Sequence, residues 1–179
     1  MKRTIVLIGL ATLASLGSTG CIGRAISEGV GVVRGPKDVT VITSPVTTSL
    51  GQYSRFQLQP FADATGREVP EEVKAMLPTY LDKYLADKNI LNTASGKTLL
   101  IRGTYVFYES SDKALDQVFG PHEEVVARVE LVDKDSGRVI GTANCVGRTT
   151  ESVNKGPDDK AKGLAKAIVK WIDSSYPKR

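Results

Sequence analysis

Residues 125–148, VVARVELVDKDSGRVIGTANCVGR, decide the fold of this chain. The first eight residues alternate between two sets of side chains, which is the period of a β-strand with one buried face. The run Asp133–Gly137 is typical of a hairpin turn, in which Gly137 can adopt a positive φ. Residues 139–148 then return as an antiparallel strand that contains Cys145. The stretch therefore predicts a β-hairpin.

A third strand is predicted upstream of this hairpin, over Thr98–Tyr108, because its side chains also alternate. Two amphipathic helices can cover only one face of such a sheet, and the sequence leaves open which face is outward. One predicted face carries Leu99, Ile101, Gly103, Tyr105 and Phe107, and the other carries Leu100, Arg102, Thr104, Val106 and Tyr108.

The first helix is predicted to begin at Pro70, whose missing N–H costs nothing in a first turn. Glu71 and Glu72 follow it, where acidic side chains suit the positive end of the helix dipole. Apolar residues then recur at helical spacing up to Leu85, and Pro78 lies inside that pattern. We therefore expect a kinked helix that ends near Lys88–Asn89.

The last helix is predicted to be capped by Asp158 or Asp159 and to end close to the C-terminus. With a short first strand before Pro60, the element order is β-α-β-β-β-α. The first connection is a crossover, so the two strands that it joins can be parallel. The fold class is therefore α+β: a mixed, mostly antiparallel sheet of about four strands with two helices packed on one face. The buried stripe of the last helix comprises Ala161, Leu164, Ala165, Ile168, Val169 and Ile172.

The N-terminal residues 1–20, MKRTIVLIGLATLASLGSTG, have the features of a signal peptide. Lys2 and Arg3 form a positive start, and the apolar run Ile5–Leu16 is shorter than the ~20 residues that a bilayer span requires. The formal net charge of +4 falls to +2 once these two cations are removed, because the leader contains no acid. Part of the basicity is therefore a targeting signal.

Cys21 directly follows this leader and resembles the cysteine of a bacterial lipobox, although Ser18 stands where lipoboxes usually have Leu. The resemblance implies that a diacylglycerol is linked to the thiol of Cys21 and that the new amine is acylated. Ile22, in place of Asp, implies sorting to the outer membrane, facing the periplasm. The alternative is an ordinary secretory signal whose cleavage leaves a cysteine nearby.

We expect residues 21–51 to be a lipidated cysteine and a flexible spacer, because residues 22–36 hold four glycines and one proline. Residues 37–51 could form a short strand or an extended linker, since Pro45 interrupts them. A single periplasmic domain is expected over residues 52–179. Within it, Cys145 would have no intramolecular partner and is expected to be a buried small residue.

The run Leu58–Gly66, LQPFADATG, resembles the strand, Pro-Phe, Asp and Thr-Gly opening of small envelope domains of the TolB N-terminal, CsgG and LpoB type. The likeness covers about residues 52–175. It implies a regulator or assembly factor of a peptidoglycan synthase or of a secretion complex. Such a protein would act by binding envelope proteins.

Few residues of the chain suggest catalysis, and no catalytic residue is assigned. The single histidine, His122, lies in a polar loop, and the sequence lacks metal-binding and phosphate-binding motifs. We expect no metal, cofactor or enzyme activity. The alternative is a weak hydrolase that uses Asp63 with Glu71 and Glu72, since paired carboxylates across a cleft can act as acid and base.

The last helix carries Lys162, Lys166 and Lys170 at intervals of four, which places them on one side. They are candidates for contact with lipid headgroups or an acidic partner; the alternative is a solvated face. Nucleic acid is not expected as a ligand, because the mature chain is only weakly basic and lacks a nucleic-acid-binding motif.

Overall fold

The computed structural model describes residues 37–90, 96–109, 123–149 and 156–177. They form an α+β structure, as predicted, with a mixed sheet and two helices. A 3₁₀ turn at Leu50–Gln52 precedes the second strand. The elements are β1 (Lys37–Ser44), β2 (Tyr53–Leu58), β3 (Ala62–Asp63), α1 (Glu71–Asp87), β4 (Lys97–Glu109), β5 (Glu123–Asp133), β6 (Val139–Thr149) and α2 (Pro157–Ser174).

The sheet has the strand order β1-β6-β5-β4-β2, and β3 pairs with β4 beyond the end of β2. The strands β2 and β3 are parallel to β4, and all the other pairs are antiparallel. The predicted parallel β-α-β start and antiparallel hairpin are therefore confirmed. The turn between β5 and β6 has Gly137 at φ 67°, as its sequence predicted.

The strand count of about four is too low, because the described sheet has six strands. Of the alternatives for residues 37–51, the structure has the strand: β1 pairs along β6 from Lys37 opposite Arg148. Pro45 ends that strand and does not prevent it, since a proline is tolerated where pairing stops. The sheet thus starts before Gln52, where the predicted domain begins.

Both helices pack on the same face of the sheet, in a single apolar core. The close approach of α2 requires Gly147 on β6. A Cβ atom at Gly147 would lie 2.4 Å from the Lys160 carbonyl oxygen and 2.5 Å from the Leu164 nitrogen. Because carbon cannot approach that closely, the glycine lets the helix backbone rest directly on the strand.

A bulge in β4 corrects the predicted alternation of that strand. The register with β5 shifts between Tyr105 and Phe107, so Phe107 lies opposite Val126 and Tyr108 opposite Val125. Phe107 therefore lies on the face away from the helices, and Tyr108 packs against the core. One extra residue reverses the side on which every later residue lies.

The first helix is continuous over Glu71–Asp87 with Pro78 inside it, and it ends one residue before the predicted Lys88–Asn89. The second helix begins with Gly156 as N-cap and Pro157 in its first turn. Neither Asp158 nor Asp159 caps it, so that prediction is wrong. The helix starts earlier than expected because Pro157 has no N–H that needs a cap.

Candidate functional site

Asp63, a residue of the hydrolase alternative, stabilises the loop between β3 and α1. Its carboxylate accepts hydrogen bonds from the Val69 N–H at 3.0 Å, the Thr65 N–H at 3.1 Å and the Thr65 hydroxyl at 2.8 Å. Burial alone would raise the pKa of Asp63, yet these bonds and Lys74 hold the pKa below its ordinary value. The group is therefore a carboxylate at neutral pH and cannot act as a general acid.

Glu71 shares a cation with Asp63. The Lys74 ammonium lies 3.6 Å from Glu71 and 3.8 Å from Asp63, and the Glu71 side chain is 81% exposed. Glu72 is also exposed. The structure thus groups two of the three carboxylates around one lysine.

A pocket of about 300 Å³ opens beside this cluster. It lies between the segment where β2 ends and the first turns of α1, and most of its wall is apolar. We call it the Tyr105 pocket. Its lining residues are Leu58, Gln59, Pro60, Phe61, Glu71, Lys74, Ala75, Leu77, Pro78 and Tyr105.

Tyr105 is the most enclosed polar side chain of this pocket, at 1% exposure. Its ring lies 5.4 Å from the Phe61 ring, which covers Gly103 so closely that a Cβ there would lie 2.5 Å from Phe61. The Tyr105 hydroxyl makes no hydrogen bond to any described residue. Burial, with the charges of Asp63 and Glu71, raises the pKa of Tyr105 far above its ordinary value, so the hydroxyl keeps its proton.

Of the four lysines of α2, the three at intervals of four, Lys162, Lys166 and Lys170, contact different neighbours. The Lys162 ammonium lies 2.5 Å from Asp158 and 5.4 Å from the centre of the Tyr80 ring. The hydrogen bond to Asp158 raises the pKa of Lys162. The Lys162 ammonium therefore takes part in the contact between α1 and α2.

The other two lysines point to different neighbours. Lys166 lies 5.7 Å from the centre of the Tyr84 ring on α1, whereas Lys170 pairs with Asp38 on β1 at 2.6 Å. Positions four apart are rotated by about 40° around a helix of 3.6 residues per turn. Lys166 is therefore near α1, whereas Lys170, one turn later, is near β1. Lys170 is 64% exposed and has the most access to solvent of the ion-paired lysines of α2.

The face of the sheet opposite the helices, which we call the open face, is the one bearing Leu100 and Val106. Arg102 and Glu130 form an ion pair on it at 2.7 Å. Large apolar side chains are exposed on the same face, with Val41 at 54% and Phe107 at 41%. The others on this face are Val39, Val106 and Val139.

Cys21 and His122 lie outside the described residues. Cys145 is buried as predicted, and burial raises the pKa of its thiol to about 12. Within the described ranges, no three His, Cys, Asp or Glu side chains are grouped as a metal site would need. No helix in the same ranges is long and apolar enough to cross a membrane.

Sequence reasoning missed the role of Tyr105 and Lys74 as pocket residues. The sequence contains one indication of it, because Tyr105, two residues after Gly103, is a polar residue on an otherwise apolar strand face. The pocket itself depends on Phe61 folding back over Gly103, which strand alternation does not reveal.

No family model matches the sequence, and no curated protein matches it. Solved structures resemble the fold. The PelC dodecamer from Paraburkholderia phytofirmans has a TM-score of 0.52 at 16% identity, over 79% of this chain and 99% of that chain. A variant of that PelC gives 0.50 at 15% identity over the same shares.

A minor lipoprotein from Acinetobacter baumannii has a TM-score of 0.42 at 13% identity, over 68% of this chain and 94% of that chain. At such identities the PelC likeness establishes the fold alone. These structures do not support the predicted resemblance to the TolB N-terminal, CsgG and LpoB type.

Proposed function

We propose that the protein is a non-catalytic lipoprotein of the cell envelope that is anchored through lipid on Cys21 and binds other proteins. The observation that carries the proposal is the leader of residues 1–20 followed directly by Cys21. Each buried methylene of an acyl chain contributes about 0.8 kcal/mol to membrane binding, so two or more chains hold the protein stably. Ile22 supports placement at the outer membrane, facing the periplasm.

Binding through the open face is supported by its exposed apolar side chains, since such side chains often mark contact surfaces. Envelope proteins are the proposed partners. A second copy of the chain is one candidate, because PelC, which has a similar fold, forms a dodecamer.

Binding is preferred over the hydrolase alternative because the Asp63 carboxylate is already held by three hydrogen bonds from its own loop. The regulator of a peptidoglycan synthase or secretion complex is a narrower version of the proposal. It rests on the run Leu58–Gly66 alone.

Metabolic labelling with a palmitate analogue tests the anchor. We expect label on the wild-type chain, loss of label in Cys21→Ala, and full label in Cys145→Ala, the matched control. Equal labelling of the wild type and Cys21→Ala would contradict the proposal, as would an unlabelled wild type.

Photo-crosslinking in intact cells tests the binding surface. A crosslinker at Val41 or Phe107 on the open face should give discrete adducts with envelope proteins or with a second copy. The same crosslinker at Lys83, an exposed residue of α1, is the control and should give none of these adducts. Identical adduct patterns from all three positions would overturn the assignment to the open face.

A further inference from the structure

The Tyr105 pocket lies on the helix side of the sheet, away from the open face. We propose that it binds one apolar side chain of an extended, uncharged peptide segment, with a backbone carbonyl of that segment accepting a hydrogen bond from the Tyr105 hydroxyl. The inference rests on the proposed function, since it assigns a chemistry to a protein partner.

The size of the pocket fits one large apolar side chain. Its volume is about 300 Å³, and small-molecule pockets begin at about this size. An apolar cavity of about 150 Å³ already accepts a benzene ring, so an aromatic or branched aliphatic side chain has room here. Leu58, Pro60, Phe61, Leu77 and Pro78 supply apolar walls.

The Tyr105 hydroxyl is a polar group of the pocket that can donate a hydrogen bond to a ligand acceptor. In the described part of the chain, the Trp171 Nε1 is the fully enclosed side-chain polar atom that lacks a partner. Among the described residues the Tyr105 hydroxyl also has no partner, although it is not one of the fully enclosed atoms, and Tyr105 lines the pocket. A protonated hydroxyl there offers a donor that a peptide carbonyl can satisfy.

The charges at the pocket disfavour an anionic ligand. Lys74 stands between Asp63 and Glu71, at separations of 3.8 Å and 3.6 Å. Two carboxylates against one ammonium leave the cluster with a net negative charge, which repels a ligand carboxylate. The carbonyl of an uncharged peptide backbone is an acceptor that avoids this cost.

The edge of the sheet explains why an extended segment fits. β2 ends the strand order, with β4 as its neighbour in the described sheet. The Gln59 N–H donates inward to the Ile101 carbonyl at 2.9 Å, so the backbone of Leu58 faces the outer edge by strand alternation. A peptide that adds to this edge places alternate side chains toward the pocket, as in β-strand addition.

Fluorescence anisotropy with the full chain in lipid nanodiscs tests the inference. The probe is a dye-labelled, C-amidated pentapeptide TTFTT, and TTSTT is its counterpart without the apolar side chain. We expect TTFTT to bind. We expect TTSTT to bind at least about tenfold more weakly, because it lacks the aromatic side chain that the pocket would bury. Equal binding of the two peptides, or no binding of TTFTT at millimolar concentration, would overturn the proposal.

Two variants locate the binding. Ala75→Phe fills the pocket mouth from an exposed helix position and should weaken TTFTT binding about tenfold or more, because it occupies the space of the anchor. Ala86→Phe, on an exposed position of the same helix outside the pocket, is the matched control and should leave affinity unchanged. Tyr105→Phe keeps the ring and should weaken binding about three- to tenfold, the worth of one neutral hydrogen bond.

Melting temperatures of the variants show that each remains folded. Unchanged affinity in both Ala75→Phe and Tyr105→Phe would place the peptide elsewhere and end the proposal. This result leaves labelling of Cys21 and crosslinking from the open face untouched. Failure of the pocket and failure of the proposed function are therefore distinguishable.

Discussion

Two buried tyrosines at different places in the sheet have opposite surroundings. Tyr53, in β2, donates its hydroxyl to the Asp133 carboxylate at 2.6 Å, and its own carbonyl accepts a bond from the Tyr176 hydroxyl. Tyr105, in β4, is as buried but has no hydrogen-bond partner for its hydroxyl among the described residues. The hydroxyl and carbonyl of Tyr53 are both hydrogen-bonded within the chain, whereas the Tyr105 hydroxyl is a donor without a partner among the described residues.

The difference separates residues that hold the fold from residues that can bind. The Asp133 carboxylate also accepts from the Ser136 N–H and hydroxyl, both at 2.8 Å, so it joins β2 to the hairpin turn. Burying a hydroxyl without a partner has a cost that packing must offset. The Tyr105 hydroxyl has no partner among the described residues and belongs to a pocket residue. A ligand in that pocket that accepts its hydrogen bond would therefore remove the cost.

Asp133→Ala should have the largest effect on stability among the changes that test this comparison. It removes the acceptor of three hydrogen bonds, from Tyr53 and from two groups of Ser136. Urea unfolding should show a greater loss than for any tyrosine variant below. Asp135→Ala, at the exposed neighbouring acid of the same turn, is the control and should change the free energy of unfolding little. Equal losses in the two variants would contradict this role of Asp133.

Tyr53→Phe should lower the free energy of unfolding by about 1–3 kcal/mol, because it leaves a buried acceptor of Asp133 with one donor fewer. Urea unfolding monitored by circular dichroism measures the change. A loss no larger than that of Tyr105→Phe would show that the two hydroxyls are equivalent and that the comparison is wrong.

Acid should destabilise the Tyr53 region. The hydrogen bond from Tyr53, followed by those from Ser136, lowers the pKa of Asp133 well below its ordinary value, with Lys97 adding to the effect. A lowered folded-state pKa stabilises the protein above the unfolded value of about 3.9, and this contribution is lost as pH falls toward the folded value. Melting curves between pH 7 and pH 2 should show that loss.

Tyr53→Phe should make the acid-induced loss smaller, because the folded-state pKa of Asp133 then lies nearer to the unfolded value. Tyr105→Phe serves as the control and should follow the wild-type pH profile. Parallel profiles for the wild type and Tyr53→Phe would contradict the assigned cause.

Tyr105→Phe should have the smallest effect, within about 0.5 kcal/mol of the wild-type free energy of unfolding. The removed hydroxyl has no partner to lose among the described residues, and the ring contact with Phe61 remains. A loss comparable to that of Tyr53→Phe would mean that the Tyr105 hydroxyl has a structural role.

The sequence predicted the features that depend on local pattern. The alternation of side chains and the turn residues predicted the hairpin of β5 and β6. The apolar spacing, together with Pro70, predicted the ends of α1 to within a residue or two. The α+β class and the parallel start followed from that element order. Burial of Cys145 was also predictable, because it sits in an apolar strand.

Features set by contacts between distant residues were not predictable. The bulge that moves Phe107 to the open face changes the register with β5, and nothing in the local alternation marks it. The spacing of Lys162 and Lys170 was visible, whereas their partners on different elements were not. The Tyr105 pocket likewise needs Phe61 and α1 to meet over β4.

Mass spectrometry of the mature N-terminus tests the central claim most directly. The account predicts that the chain begins at Cys21, with a diacylglycerol on its sulfur and an acyl group on its amine. A free, unmodified N-terminus on protein recovered without membrane would contradict it.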